Sequence, residues 1–271
     1  MMAVKTSLKH YVVQQHIIYS GFLKRDVIID TYLPLNIIDV TRLDLLLIND
    51  GQDLPKMPFD RMLDKLVDES IIDPLICVGI YCGENRKMEY GVAATPDYKG
   101  LGASAGSYQQ FIMDEMLPFV QQTYNIPSFK NKSFAGFSLG ALSALDIVWN
   151  NPALFKACGV FSGALWWRSK AYDEGYNDAT DRIMHQQIKK GTYHSQLRFF
   201  FECGAMDETE DRNNNGIIDT IDDTIDLIDE LYKLGYPKKA VKYLEIEDGR
   251  HDVPTWAKAF PYFLQWQWGK Q

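Results

Sequence analysis

Residues 132–142 read Lys-Ser-Phe-Ala-Gly-Phe-Ser-Leu-Gly-Ala-Leu. An apolar strand runs into a turn at Ser138, and an Ala/Leu-rich helix leaves it. Gly136 and Gly140 flank the serine in the spacing G-x-S-x-G. The spacing answers a packing problem. A helix folded straight back along the strand that feeds it brings two backbones together, and glycine leaves room for that approach. A serine at the tip then sits in strained backbone. Behind it lie the unpaired amides and positive dipole end of a helix, which suit a developing oxyanion.

The rest of the chain supplies a sheet for such a turn. Tyr11–Tyr19 and Asp26–Leu33 read as a β-pair joined through Ser20-Gly21-Phe22. Leu43–Asn49 and Pro74–Tyr81 read as strands buried on both faces. Helical spacing covers Phe59–Glu69 and Ser104–Tyr124. After the turn, strands at 131–137, 156–162, 196–203 and 240–246 alternate with helices at 139–150, 179–189, 222–234 and 254–268. This alternation predicts an α/β fold, a mainly parallel sheet with helices on both faces. No repeat or linker divides the 271 residues, so a single domain over 1–271 is expected.

An activated serine needs a base, and the base needs an orienting acid. Of five histidines, His10 and His16 lie upstream, and His185 and His194 read as structural or solvated. His251 follows a strand in the loop Glu247–Asp252, just before the last helix, where sites assemble on parallel sheets. The acid is expected after the preceding strand, at Asp207, with Glu208 as the alternative. The oxyanion hole is expected from the Leu139 amide and from Gln52, in the turn Asn49-Asp50-Gly51-Gln52.

The charge of −8 is local. Residues 207–230 hold ten acids and one base, and the remainder is near neutral. No basic stripe is present, so nucleic acid is not an expected partner. No run is long enough for a membrane span, and Met1–Lys9 lacks a signal-peptide core, so the expected location is cytoplasmic; a trimmed N-terminus would allow a periplasmic or secreted protein. Cys77, Cys82, Cys158 and Cys203 follow no metal or disulfide spacing and read as free thiols.

Within the acidic stretch, residues 211–222 match the calcium loop D-x-[DN]-x-[DN]-G. Asp211, Asn213, Asn215, Asp219 and Asp222 supply side-chain oxygens, Ile217 a carbonyl, and Gly216 the sharp turn. Position 12 is Asp rather than Glu. The competing reading is an acidic turn ahead of a helix N-terminus. Residues 208–223 are expected as an insertion in the domain.

The chain resembles the esterase D-like family of α/β-hydrolases, close to its enterochelin esterase-like members. The likeness runs from near residue 20 to the C-terminus. It rests on Lys24-Arg25, Asp50-Gly51-Gln52, Arg86 with Glu89-Tyr90, Phe111 to Phe119, Gly136–Gly140 and Ser162–Trp167. It continues through Gly204–Asp207 and His251-Asp252 with Trp256. It implies ester hydrolysis or acyl transfer on a small-molecule or carbohydrate ester, with no organic cofactor. Siderophore lactones and acylated sugars are among the family's substrates. Asp50 stands where many members have His, and Ala141 where a second glycine is frequent; backbone amides do the work at both places. Trp166 and Trp167 follow a strand end and are candidates for a substrate pocket, with core packing expected for one of them. Arg86 is a third candidate, facing either a substrate anion or Glu89. The rival outside catalysis is a calcium-bound interaction protein that retains the fold.

Overall fold

A computed structural model describes residues 8–35, 37 and 39–270. The segment Met1–Lys9, on which the expected location rests, falls mostly outside them. β1 (Tyr11–Ser20) and β2 (Arg25–Pro34) are antiparallel, and β2 runs antiparallel to the strand Ile76–Ile80. β3 (Leu45–Asn49), β4 (Ile76–Ile80), β5 (Lys132–Phe137), β6 (Ala157–Phe161), β7 (Arg198–Met206) and β8 (Val241–Arg250) are parallel. The sheet order is β1-β2-β4-β3-β5-β6-β7-β8.

The apolar strand runs have a physical reason in this layering. Leu45 and Leu47 face one layer while Leu46 and Ile48 face the other, and all four are fully buried. One layer holds α3 (Ala105–Gln110), α4 (Leu117–Thr123), α5 (Leu139–Asn150), α7 (Ile183–Lys189) and α8 (Asp219–Lys233). The other holds α1 (Phe59–Asp68) and α9 (Val253–Trp268). Two short helices, α2 (Arg86–Glu89) and α6 (Asp178–Asp181), complete the set. No described helix is long and apolar enough to cross a membrane.

Three departures from the sequence reading have local causes. The helix expected over Ser104–Tyr124 is broken by a π-helical turn at Phe111–Met116, ahead of Pro118 in the first turn of α4. Proline has no N–H for the carbonyl a turn before it, and the wider turn absorbs that loss. The helix expected over 179–189 is split at Arg182, whose extended backbone sends its guanidinium to Asp223 and Asp226 on α8, at 2.7 and 2.6 Å. Finally, β7 and β8 run on to Met206 and Arg250, because an irregularity after Gly204 restores pairing between those two residues.

Candidate active site

Ser138 ends β5 and heads α5 with φ 55° and ψ −122°. Such backbone costs a non-glycine residue of order 1–3 kcal/mol and persists only where its surroundings hold it. Here the Ser138 amide donates to the Phe161 carbonyl at 2.9 Å, and its carbonyl accepts from Ala164 at 3.1 Å. A Cβ on Gly136 would collide with the Gly140 backbone. The buried Asn49 side chain donates to the Gly140 carbonyl at 2.7 Å, and the Tyr108 hydroxyl donates to Asn49 in turn. Asn49 and Tyr108 were not expected in this role.

The loop after β3 is fixed by an ion pair. Asp50 has φ 59°, and its 3%-exposed carboxylate receives the Arg86 fork, Nε to Oδ1 at 2.7 Å and Nη2 to Oδ2 at 2.6 Å. The expectation that Arg86 pairs with Glu89 is therefore corrected: its partner is Asp50. Glu89 is taken by Arg25 through two bonds of 2.8 and 2.5 Å. The Gln52 side chain bridges to Cys82, donating to its sulfur and accepting from its amide, each at 3.2 Å. Among the described residues, neither the Leu139 nor the Gln52 backbone amide has an acceptor.

The extended β7–β8 register positions the next pair. Met206 lies opposite Arg250, so the residues that follow, Asp207 and His251, leave the sheet side by side. His251 Nδ1 lies 3.7 Å from Asp207 Oδ2, beyond hydrogen-bond length; such contacts are commonly long before substrate binds. The Asp207 side chain is fully buried, and its Oδ1 accepts from the Gly204 amide at 3.2 Å. Glu208, the alternative acid, turns away and accepts from the Thr220 amide and hydroxyl. His251 is 40% exposed and packs edge-on against Trp256, 5.6 Å between centroids. Trp256 stacks on Phe137 at 4.9 Å and donates to Ser162 Oγ at 2.9 Å. No direct bond joins Ser138 to His251 among the described residues; this aromatic stack connects their neighbourhoods. His185 is buried against the Asp223 carbonyl, and burial pushes it down to about 3.

The tryptophans divide. Trp166 is 37% exposed and lines a cavity of about 440 Å³ with Arg168, Tyr172, Glu208 and Arg212. Trp167 is fully buried against Gly91 and Gly102, so its place as a pocket residue is corrected to core packing. A larger cavity, about 610 Å³, lies at the opposite ends of the strands beside Asp44 and Asn131 and holds none of the residues above.

Residues 20–266 match the family described as Putative esterase. The chain belongs to this esterase family. It is 24% identical over 151 residues to the uncharacterized protein YjcH of Bacillus subtilis (strain 168), covering 54% of this chain and 60% of that protein. The esterase chain thus spans less than two thirds of that relative's length. Two solved structures share its fold at a TM-score of 0.72. The BES protein from Bacillus cereus is 17% identical with 98% of each chain covered. The enterobactin esterase FES from Shigella flexneri, in the presence of enterobactin, is 20% identical, with 94% of this chain and 59% of that chain covered.

In this esterase chain the 211–222 loop closes on its own hydrogen bonds. Asp211 accepts from the amides of Asn215 at 3.1 Å and Gly216 at 2.9 Å. The side-chain nitrogens of Asn213 and Asn215 lie 2.8 and 2.7 Å from Asp222 Oδ2, so three expected ligands converge. Ile217 follows, its amide held by the Asn215 side chain at 2.8 Å. Asp219 is committed elsewhere, accepting from the Arg212 amide at 2.8 Å and pairing with its guanidinium at 3.2 Å.

Proposed function

We propose that this chain is a serine carboxylic-ester hydrolase acting through Ser138, His251 and Asp207. The observation that carries the reading is the strained Ser138 backbone, held between β5 and the head of a buried helix. Ser138 Oγ adds to the ester carbonyl while His251 takes its proton, and the carbonyl π pair moves onto oxygen. The Leu139 and Gln52 amides receive that oxyanion, with Gln52 fixed by the Asp50–Arg86 pair nearby. Collapse expels the alcohol, protonated by His251. Water, deprotonated by the same imidazole, then adds to the acyl carbon, and collapse frees the acid as His251 returns the proton to Ser138 Oγ. Asp207 keeps the N–H on Nδ1 and stabilises the imidazolium.

The esterase family and the likeness to FES support ester hydrolysis. For the substrate we propose a siderophore-like lactone or an acylated carbohydrate, its ring against Trp166 and Tyr172 at the rim of the neighbouring cavity. A screen of aryl esters, acetylated and feruloylated sugars and catecholate lactones tests this. Hydrolysis of at least one, lost in Ser138→Ala, is expected. Diversion of the acyl group to an added alcohol would identify an acyltransferase with the same residues.

We also propose a structural Ca²⁺ in the 211–222 loop, held by Asp211, Asn213, Asn215, Asp222 and the Ile217 carbonyl. The convergence of Asn213 and Asn215 on Asp222 supports it, since the loop gathers three of the expected ligands at one point. Asp219 does not fit this set while Arg212 holds it.

A further inference from the structure

The two amides assigned to the oxyanion come from different strands. Gln52 lies in the turn after β3, and Leu139 in the elbow after β5. These strands are neighbours, paired as far as Ile48 and Ala135. Beyond that pair, among the described residues, the joins between the two turns are made by side chains. An oxyanion hole works only when its donors are fixed before the charge develops, so these joins bear on the chemistry. Arg86, at the head of α2, reaches both turns. Its Nε and Nη2 donate to the two oxygens of Asp50 at 2.7 and 2.6 Å, and Nη2 also donates to the Phe137 carbonyl at 3.4 Å. Asp50 lies two residues ahead of Gln52, and Phe137 two residues ahead of Leu139. Gln52 Nε2 donates to the same Asp50 oxygen as Arg86 Nε, at 3.3 Å.

Charge matters here as much as position. The buried Asp50 carboxylate lies directly against the elbow helix, since a Cβ on Gly140 would collide with its Oδ2. A second negative charge develops at this elbow during the reaction. Left alone, the carboxylate would oppose it, because like charges repel strongly where water is scarce. Among the described residues, the cation paired with Asp50 is Arg86, while Arg25 is spent on Glu89.

We propose that Arg86 is a positioning residue for the oxyanion hole, tying the Gln52 turn to the Ser138 elbow and cancelling the Asp50 charge beside it. The proposal rests on the serine-esterase reading above. Arg86 acts through Asp50 and Phe137 rather than on the reacting atoms. Its contribution therefore arises when the carbonyl oxygen becomes an anion, not when the ester binds, and belongs in kcat rather than KM.

Hydrolysis of an aryl ester by the full chain, beside inhibition by phenylboronic acid, tests this. The boronic acid adds to Ser138 as a tetrahedral anion and probes the hole without turnover. Arg86→Gln should lower kcat by about a hundredfold at unchanged KM and weaken boronate inhibition by a similar factor. Adding Asp50→Asn removes the second charge and should regain about tenfold in both. Arg86→Lys keeps the charge without the fork, so it should lie between wild type and Arg86→Gln, and it carries the test if Arg86→Gln does not fold. Wild-type kcat and boronate affinity in either folded variant, or a loss carried by KM alone, overturns the proposal. A double variant no more active than Arg86→Gln overturns it as well. If Ser138→Ala keeps its activity, or wild type is not inhibited by the boronic acid, the serine-esterase reading has failed, and the proposal falls with it.

Discussion

Ser138 and His251 were legible as residues because the signals for both are local. A glycine–serine–glycine spacing and a histidine between a strand and the last helix sit in short windows. Arg86 was not legible, because its partner Asp50 is 36 residues away while Glu89 stands at the tempting spacing of one helical turn. Which tryptophan of the pair is core was equally hidden, since adjacent residues on a turn do not alternate as they do on a strand. At this scale, Ser138→Ala should cut kcat by about 10⁴–10⁶-fold without unfolding, measured by ester hydrolysis beside circular dichroism. Arg86→Gln leaves the Asp50 charge buried and alone. It should cost about 2–4 kcal/mol in urea melts, at the lower side for a broken pair because the guanidinium is partly exposed. Adding Asp50→Asn should recover part of that loss, whereas additive effects would show that the pair does not couple.

Among the elements, the parallel strands and their helices followed from periodicity, and the lengths of β7 and β8 did not. Their last pairing depends on a register irregularity after Gly204, which depends in turn on the close approach of Gly204 and Gly249. Side chains there would overlap backbone, so Gly249→Ala should separate the strand ends. Esterase activity should fall well beyond the loss of stability, because Asp207 and His251 leave from those ends. The calcium loop is an element with its own test. Metal held by the folded form alone stabilises by about 2.7 kcal/mol at a hundredfold excess over Kd. Saturating Ca²⁺ should raise Tm and chelator lower it, and Asp211→Asn with Asp222→Asn should remove the difference. An identical melting curve with and without chelator, and no metal by elemental analysis, would leave an acidic turn tied by Arg212.

Across the whole molecule, two buried groups set opposite pH limits. His185, neutral when folded, contributes stability above its ordinary 6.5 that is lost as pH falls toward about 3. Glu202, inside β7, is pushed up to about 8 by burial, and contributes stability below 4.5 that is lost as pH rises toward about 8. Their slopes cancel between these ordinary values, so their joint contribution is flat from 4.5 to 6.5 and declines on either side. Thermal melts across pH should show Glu202→Gln removing the decline above 6.5 and exposing the His185 slope between 4.5 and 6.5, and His185→Gln removing the decline below 4.5 and exposing the Glu202 slope in the same window. In the proposed mechanism His251 accepts the serine proton only as a neutral imidazole, so activity should have an acid limb of its own. The fold as a whole brings the ends of β3, β5, β6, β7 and β8 to one edge, and the central claim is that this edge is a working serine esterase. Fluorophosphonate labelling with peptide mapping tests it most directly. The account predicts one covalent adduct, on Ser138, formed in step with loss of esterase activity and strongly slowed in His251→Ala. An unlabelled Ser138 in folded protein, or full esterase activity after Ser138 is blocked, would contradict it.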